Sequence, residues 1–269
     1  MSASEEAAAV RHERDGAIAH LILDRPATLN AMTPELASGL IEELARVAAD
    51  KTVRALVLRG AGRAFMAGGD LVYLRDSNAE QAFEKSGALI AQLNDIVRAL
   101  ADLTIPSLAV VHGAVAGAGL SLMLACDYTI ATDDTRFVYA YSGIAGPPDG
   151  GLSRALAHLV GYRRAIQFAF LETRLTAARA LDWGLVNTLV PALDLDACAE
   201  ETARRLADLP LRAFGETKRL LQIASETSRD MQLEEERDAF RRCSQTGDLR
   251  EGVQAFFEQR PARFADARL

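Results

Sequence analysis

The first half of the chain alternates between two hydrophobic periods, and this alternation most constrains its fold. Residues 17–26 and 53–60 carry the apolar runs of buried strands, whereas residues 33–50 begin with a Thr-Pro pair and repeat apolar side chains with helical spacing. A long amphipathic segment follows at about 80–103, and a further strand-like segment covers 106–115. Alternating strands and helices predict a layered α/β core.

After about residue 150 the strand pattern fades and helical periodicity dominates. Residues 185–191 are the one late strand candidate. A helical region this rich in alternating charge is expected to cap the core or to build an oligomer. The helices are predicted at 151–160, 163–170, 177–183, 195–208, 212–225, 229–243 and 249–259. The acidic segment 1–12 lacks the apolar stretch of a secretory signal, and we expect it to be loose.

Composition excludes several classes of function. A formal charge of −7 over 269 residues disfavours nucleic-acid binding, because that function needs clustered Lys and Arg. Cys126, Cys198 and Cys243 are widely spaced and unpaired in pattern, which suits reduced thiols and a cytoplasmic location. No apolar run reaches the roughly 20 residues of a membrane span. The four histidines show no metal-ligand spacing, so no metal is expected.

Two glycine-rich turns are the candidate site. The first is AFMAGGDL (64–71), and the second is HGAVAGAGLSLMLACD (112–127), which runs into a segment that is apolar nearly all round. Gly117 and Ala118 stand where that buried helix begins, and the first turn of a helix has unpaired N–H groups and the positive end of the macrodipole. A ligand oxygen can therefore approach the main chain closely there.

Three chemistries compete for this helix terminus. A dinucleotide fingerprint needs a glycine where Leu122 stands, and a serine hydrolase elbow needs G-x-S-x-G around Ser121, where the chain reads GLSLM. An oxyanion hole needs only two convergent main-chain N–H groups beside small side chains. Gly69 and Ala118 meet that requirement.

These turns, together with LILDRPATLNAM (21–32), the double-glycine turn at 148–151 and TRLTAARALDWGLVNTLVP (173–191), resemble the crotonase (enoyl-CoA hydratase/isomerase) superfamily over most of 17–260. The resemblance implies an α/β fold, with a crotonase-like spiral of ββα units over 13–200 and a C-terminal helical region at 201–269. It also implies assembly into a homotrimer or a hexamer of two trimers. The expected substrate is an acyl-CoA thioester, so coenzyme A arrives with the substrate and no separate cofactor is expected.

The resemblance carries residue roles to this chain. The main-chain N–H groups of Gly69 and Ala118 are expected to hold the thioester carbonyl oxygen. Lys218 and Phe257 are candidates for reaching coenzyme A bound to a neighbouring subunit. A serine on a buried helix most often donates to a carbonyl one turn earlier, which is the alternative expected for Ser121. The residues expected to contact the substrate are Arg25, Ala67, Gly68, Asp70, Leu71, Gly117, Ser121 and Tyr141.

The catalytic positions differ from those of hydratases in the superfamily. Hydratases carry two glutamates, and the matching positions here are Ser121 and Tyr141, neither of which is a carboxylate base. Asp149 matches the aspartate of double-bond isomerases, such as 1,2-epoxyphenylacetyl-CoA and dienoyl-CoA isomerases. Those members carry one more residue before the double glycine, and its absence here is expected to move the carboxylate.

The activity expected from this pattern is an enoyl-CoA isomerase with Asp149 as its base. Apolar neighbours, namely Ile144, Pro147 and Leu152, are predicted to raise the pKa of that carboxyl. Two alternatives stay open. One is a hydratase or related lyase in which Ser121 or Tyr141 helps to position water, and the other is an acyl-CoA-binding homologue without catalysis.

Overall fold

The computed structural model describes residues 8–75 and 77–264. The strands are β1 Val10–Asp15, β2 Ile18–Leu23, β3 Ala55–Gly60, β4 Ser107–Val111, β5 Ala114–Ala116, β6 Tyr128–Thr132, β7 Arg136–Val138, β8 Arg174–Thr176 and β9 Thr188–Val190. The helices are α1 Pro34–Ala49, α2 Val72–Arg75, α3 Ala79–Asp102, α4 Ala118–Ala125, α5 Leu152–Ile166, α6 Ala177–Asp182, α7 Leu195–Ala207, α8 Leu211–Ile223, α9 Arg229–Cys243 and α10 Gly247–Glu258. Among the described residues, none of the helices combines the length and apolar character of a membrane span.

A six-stranded sheet forms the centre of the fold, in the order β1-β2-β3-β4-β6-β9. β1 is antiparallel to β2, and every other neighbouring pair is parallel. Parallel neighbours need crossover connections, which α1 provides between β2 and β3, and α3 between β3 and β4.

A second, smaller sheet orders β5-β7-β8 and is extended by isolated bridges. Met66 pairs with Val115, and Gly69 pairs with Met32. Each turn of chain therefore supplies a strand to the large sheet, a short extended segment to the small one, and then a helix, as in β4-β5-α4. This is the predicted spiral of ββα units.

The predicted helices are found close to their expected bounds, and α1 and α3 begin at side-chain caps. Thr33 Oγ1 accepts the Leu36 N–H at 3.4 Å, and Asn78 with Gln81 forms a capping box. The helices predicted at 151–160 and 163–170 are joined instead, because α5 continues through a kink at Gly161 into a π-helical turn at Gln167–Leu171.

Two expectations about strands are wrong. The segment 1–12 was expected to be loose, but β1 begins at Val10, while residues 1–7 lie outside the described residues. The sequence pattern did not predict β1 because, after Val10, its side chains are exposed and mostly charged, as on many edge strands. The single strand expected at 106–115 is two strands in different sheets, divided at His112–Gly113, where Gly113 has φ +61°.

The expected division of the chain at residue 200 falls inside α7. Leu195, Ala199, Ala203 and Ala207 recur every four residues and form a second apolar cluster against the large sheet. α7 therefore packs with the core as far as Ala207. The helices α8 to α10 bury few apolar side chains and leave several large ones exposed, namely Leu221, Met231, Leu233, Phe240, Val253, Phe256 and Phe257.

Candidate active site

The two glycine turns contact each other directly. Gly68 has φ +104° and Gly117 has φ +50°, a region that side chains rarely adopt. A Cβ on Gly117 would lie 3.4 Å from the Gly68 Cα, and a Cβ on Gly68 would lie 3.3 Å from the Ala116 carbonyl oxygen. The absence of side chains thus brings the residues that follow, Gly69 and Ala118, to the same place.

Strand-like pairing orients the N–H of Gly69. The Met32 N–H donates to the Gly68 carbonyl at 2.8 Å, and the Asp70 N–H donates to the Met32 carbonyl at 2.9 Å. In a parallel bridge of this kind, the intervening residue directs its own N–H away from the partner strand. Over residues 8–75 and 77–264, the Gly69 N–H has no acceptor.

Ala118 is the first residue of α4, so its N–H has no partner within the helix. The described part of the chain supplies no other acceptor for it either. The helix is buried over Ala118–Met123, and a Cβ on Gly119 would lie only 2.7 Å from the Met66 carbonyl oxygen. α4 is therefore held tightly against the first glycine turn, with the positive end of its dipole at Ala118.

Asn30 supports this turn and was not predicted. It is fully buried with φ +57°, and its Nδ2 lies within 3.1 Å of the carbonyl oxygens of Ala61, Ala64 and Phe65. Its Oδ1 accepts the Arg25 N–H at 2.9 Å. Asparagine tolerates the left-handed region better than most residues, which was the one signal available in the sequence.

A cavity of about 690 Å³ lies between the two turns, one face of α3 and the loop before α5. Nine predicted site residues line it: Ala67, Gly68, Gly69, Asp70, Leu71, Gly117, Ala118, Tyr141 and Asp149. Arg25 and Ser121 are not among the lining residues. Arg25 lies behind Asp70, with 3.5 Å between its Nη2 and the Asp70 Oδ2, and Ser121 lies behind Asp149.

Lys218 is not available to a ligand. Its Nζ donates to the Leu100 carbonyl at 2.8 Å and lies 3.1 Å from the Asp127 Oδ1, and the side chain is buried. The expectation that it contacts coenzyme A is therefore wrong, because the buried ammonium group is already paired with Asp127. Phe257 lies on α10 and is 79% exposed.

Asp149 is fixed by hydrogen bonds to its main chain and to its side chain. Its carbonyl accepts the Leu152 N–H at 3.1 Å across a turn in which Gly150 and Gly151 both have positive φ. The same carbonyl accepts the Ser121 hydroxyl at 3.0 Å, so the expected bond from Ser121 to its own helix is not formed. The Tyr141 hydroxyl donates to the Asp149 Oδ1 at 2.5 Å.

Burial is the main cause of the shifted pKa values of Asp149 and Tyr141. It raises the pKa of Asp149, and the hydrogen bond from Tyr141 offsets only part of that rise. The direction agrees with the sequence prediction, but of the three apolar neighbours expected to cause it, Leu152 is buried whereas Ile144 and Pro147 are exposed. Burial also raises the pKa of Tyr141 well above its usual value, and the Asp149 charge raises it further. The tyrosine hydroxyl therefore keeps its proton at neutral pH.

Nothing in the described ranges groups three His, Cys, Asp or Glu side chains as a metal site would. The arrangement instead offers two free N–H donors and one half-buried carboxylate around an apolar cavity. This combination is suited to stabilising an oxyanion while one base moves a proton.

Fold and site together define the class. The family model described as enoyl-CoA hydratase/isomerase matches residues 13–267. The chain therefore belongs to this family, the crotonase superfamily of acyl-CoA enzymes.

Individual relatives carry different activities in their names. The chain is 37% identical to the 1,2-epoxyphenylacetyl-CoA isomerase of Escherichia coli (strain K12), over 91% of this chain and 93% of that one. It is 33% identical to a probable enoyl-CoA hydratase of Rhodobacter capsulatus, over 95% of this chain and 97% of that one. The crystal structure of an enoyl-CoA hydratase from Polaromonas sp. JS666 superposes with a TM-score of 0.89 at 33% identity, covering 95% of this chain and 99% of that one.

Proposed function

We propose that this protein is an enoyl-CoA isomerase that shifts a carbon–carbon double bond, with Asp149 as the base. The observation that carries the proposal is that the two carboxylates lining the cavity differ in ion pairing and in pKa. Asp70 is paired with Arg25 and accepts the Val72 N–H, whereas Asp149 has no cationic partner among the described residues and a raised pKa. A half-buried carboxylate of this kind is a better base than an exposed one.

In the proposed reaction, the thioester carbonyl oxygen accepts hydrogen bonds from the N–H groups of Gly69 and Ala118. Asp149 removes a proton from a carbon activated by the thioester, and the electron pair delocalises into a dienolate whose negative oxygen the two N–H groups stabilise. The protonated Asp149 then returns the proton at the other end of the conjugated system. The base ends as it began, and no water is consumed.

A second carboxylate would favour hydration, and the cavity does not offer one in a suitable state. Of the described lining residues, only Asp70 and Asp149 are carboxylates, and Asp70 is ion-paired. The hydroxyls of Ser121 and Tyr141 both donate to Asp149, so neither is free to donate to a water. These contacts support one-base isomerisation over hydration.

The remaining parts of the proposal concern binding and assembly. The segment 67–71, with Gly117, is proposed to border the coenzyme A moiety, with Arg25 acting through Asp70. Coenzyme A enters as part of the substrate. The exposed apolar side chains of α8 to α10 support assembly into a homotrimer or a hexamer, and a cytoplasmic location suits the reduced thiols.

The first experiment offers the purified enzyme two substrates separately. A 3-enoyl-CoA should be converted to the conjugated 2-enoyl isomer, seen as a rise in conjugated-thioester absorbance and as a new chromatographic peak. Crotonyl-CoA should gain little or no water. Hydration of crotonyl-CoA without turnover of the 3-enoyl-CoA would overturn the proposal.

The second experiment replaces Asp149 by Asn, which keeps the shape but removes the base. We expect kcat to fall by about 10²–10⁴-fold while acyl-CoA still binds. Asp95→Asn on the exposed face of α3 is the matched control and should leave kcat unchanged. If Asp149→Asn keeps the wild-type rate, Asp149 is not the base, and absence of turnover in every form of the protein would support the binding-only alternative.

A further inference from the structure

The hydroxyl of Tyr141 has a single proton, and the structure shows where that proton goes. Tyr141 donates to the Asp149 Oδ1 at 2.5 Å, and a hydroxyl that donates one bond has none left to give to a substrate. The ring is buried, and the edge of Tyr139 packs on it with 5.3 Å between centroids. Tyr141 is therefore rigid and its donor is already used.

The two oxygens of the Asp149 carboxylate are not equivalent. Oδ1 accepts the Tyr141 hydroxyl, whereas Oδ2 accepts no bond from another described residue. The main chain beneath them cannot move freely, because the Asp149 carbonyl is held by Ser121 and Leu152. Gly150 sits so close to α4 and α3 that a Cβ there would lie 2.8 Å from the Ser121 Cβ and 2.9 Å from the Leu93 Cδ2.

We propose that Tyr141 is a positioning residue for Asp149: its hydroxyl holds Oδ1, fixes the carboxylate plane and leaves Oδ2 as the oxygen that takes the substrate proton. The inference rests on the proposed isomerase function. It replaces the substrate contact expected for Tyr141 with a role that acts through the carboxylate.

The hydrogen bond also sets the pH at which the base is available. Burial raises the pKa of Asp149, and the Tyr141 hydroxyl stabilises the ionised form and lowers it again. The other groups that face Asp149 are Tyr139, whose own pKa the Asp149 charge raises, and Ser121, which does not titrate near neutrality. α3 presents the apolar Leu93 to Gly150. The main-chain N–H of Asp149 also lowers the pKa of its own carboxyl, and Tyr141 is the side-chain donor that opposes the effect of burial most strongly.

The direct test is Tyr141→Phe, read as kcat and KM across pH with a 3-enoyl-CoA. Without the donor the pKa of Asp149 rises, so the acidic limb of the rate profile should move to higher pH by about one to two units. At pH values high enough to ionise Asp149 in both proteins, kcat should still be roughly tenfold lower in the variant, because the carboxylate is no longer held in place, and KM should be unchanged. A raised KM with an unmoved acidic limb would show that Tyr141 contacts the substrate and would overturn the proposal.

Tyr139→Phe is the matched control. It removes a hydroxyl from the adjacent buried ring, and that hydroxyl makes no hydrogen bond to Asp149 within the described ranges. The acidic limb should stay in place. A shift equal to that of Tyr141→Phe would assign the effect to general repacking and overturn the proposal.

A second variant covers the case in which Tyr141→Phe does not fold. Incorporating 3-fluorotyrosine at position 141 keeps the ring and the hydroxyl but makes the phenol a stronger donor, so the acidic limb should move to lower pH. A shift to higher pH, or none, would contradict the proposal.

A readout independent of turnover separates this inference from the proposed function. The ¹³C carboxyl resonance of Asp149, assigned by its loss in Asp149→Asn, should titrate at higher pH in Tyr141→Phe than in the wild type. If that shift occurs while no isomerase activity is found, the proposed reaction fails but the positioning contact stands. If the resonance titrates identically in both proteins, the positioning role is wrong whatever the reaction.

Discussion

For two glycines in helices, Gly→Ala is predicted to change the free energy of unfolding in opposite directions. Gly119 lies in α4, where a Cβ would meet the Met66 carbonyl oxygen at 2.7 Å and the Met66 Cβ at 3.0 Å. Gly87 lies in α3, where a Cβ would meet nothing within 4 Å. Neither has a positive φ, so backbone strain does not separate them. The difference between the two alanine variants is therefore a matter of space alone.

The magnitudes follow from three contributions. Gly→Ala in a helix interior stabilises by up to about 1 kcal/mol, and at Gly87 this is the whole effect. At Gly119 the forced movement of a main-chain atom costs about 1–3 kcal/mol, and displacing Met66 weakens its 2.9 Å bond from the Ala116 N–H, worth about 1 kcal/mol. The net expectation is a destabilisation of about 1–3 kcal/mol for Gly119→Ala and a gain of about 0.5–1 kcal/mol for Gly87→Ala.

The assay is urea unfolding at one fixed protein concentration, comparing midpoints at constant m-value. Turnover should change in parallel, because Met66 and Ala116 lead into the turns that contain the Gly69 and Ala118 N–H groups. Gly119→Ala should lose rate, and Gly87→Ala should not. A Gly119→Ala protein as stable as Gly87→Ala would refute the reasoning, since it would mean that the first turn yields to α4 without cost.

Three further experiments test contacts of the buried or partly buried residues Asn30, Lys218 and Cys126. Asn30→Ala should lower the free energy of unfolding by about 2–4 kcal/mol, measured by urea titration, because two buried carbonyls and one partly buried carbonyl lose a donor; an unchanged midpoint would contradict this. Lys218→Ala should cost about 1–3 kcal/mol in the same assay, because Asp127 loses its cation and keeps only its bonds from Ser107, and a smaller loss in Lys218→Arg would show that charge matters there. Burial raises the pKa of Cys126 to about 12, so at pH 8 iodoacetamide should label this partly buried thiol far more slowly in the folded than in the denatured protein, as mass spectrometry would show; equal labelling rates would contradict the raised pKa.

Local chemistry determined much of the fold and part of the site. The Thr33 cap with its Pro34 start and the apolar spacing of α1 predict that helix, because they depend only on neighbours within one or two turns. The glycines at 68 and 117 predict close main-chain approach for the same kind of reason, since only they accept the required φ without strain. The position of Asp149 beside the cavity followed from the family pattern.

Only the tertiary structure decided which polar groups meet. Ser121 is 28 residues from Asp149, and Lys218 is 91 residues from Asp127, so no local pattern distinguishes these partners from solvent-exposed polar residues. β1 is also not predictable from local pattern. Its exposed charged side chains are not typical of a strand, and it forms because it pairs with the free edge of β2. The periodicity of apolar residues indicates the secondary structure of a segment and which of its faces is buried. Which donor reaches which acceptor depends on how the segments pack, and here that packing brings Ser121 and Tyr141, both expected to contact the substrate, into hydrogen bonds with Asp149.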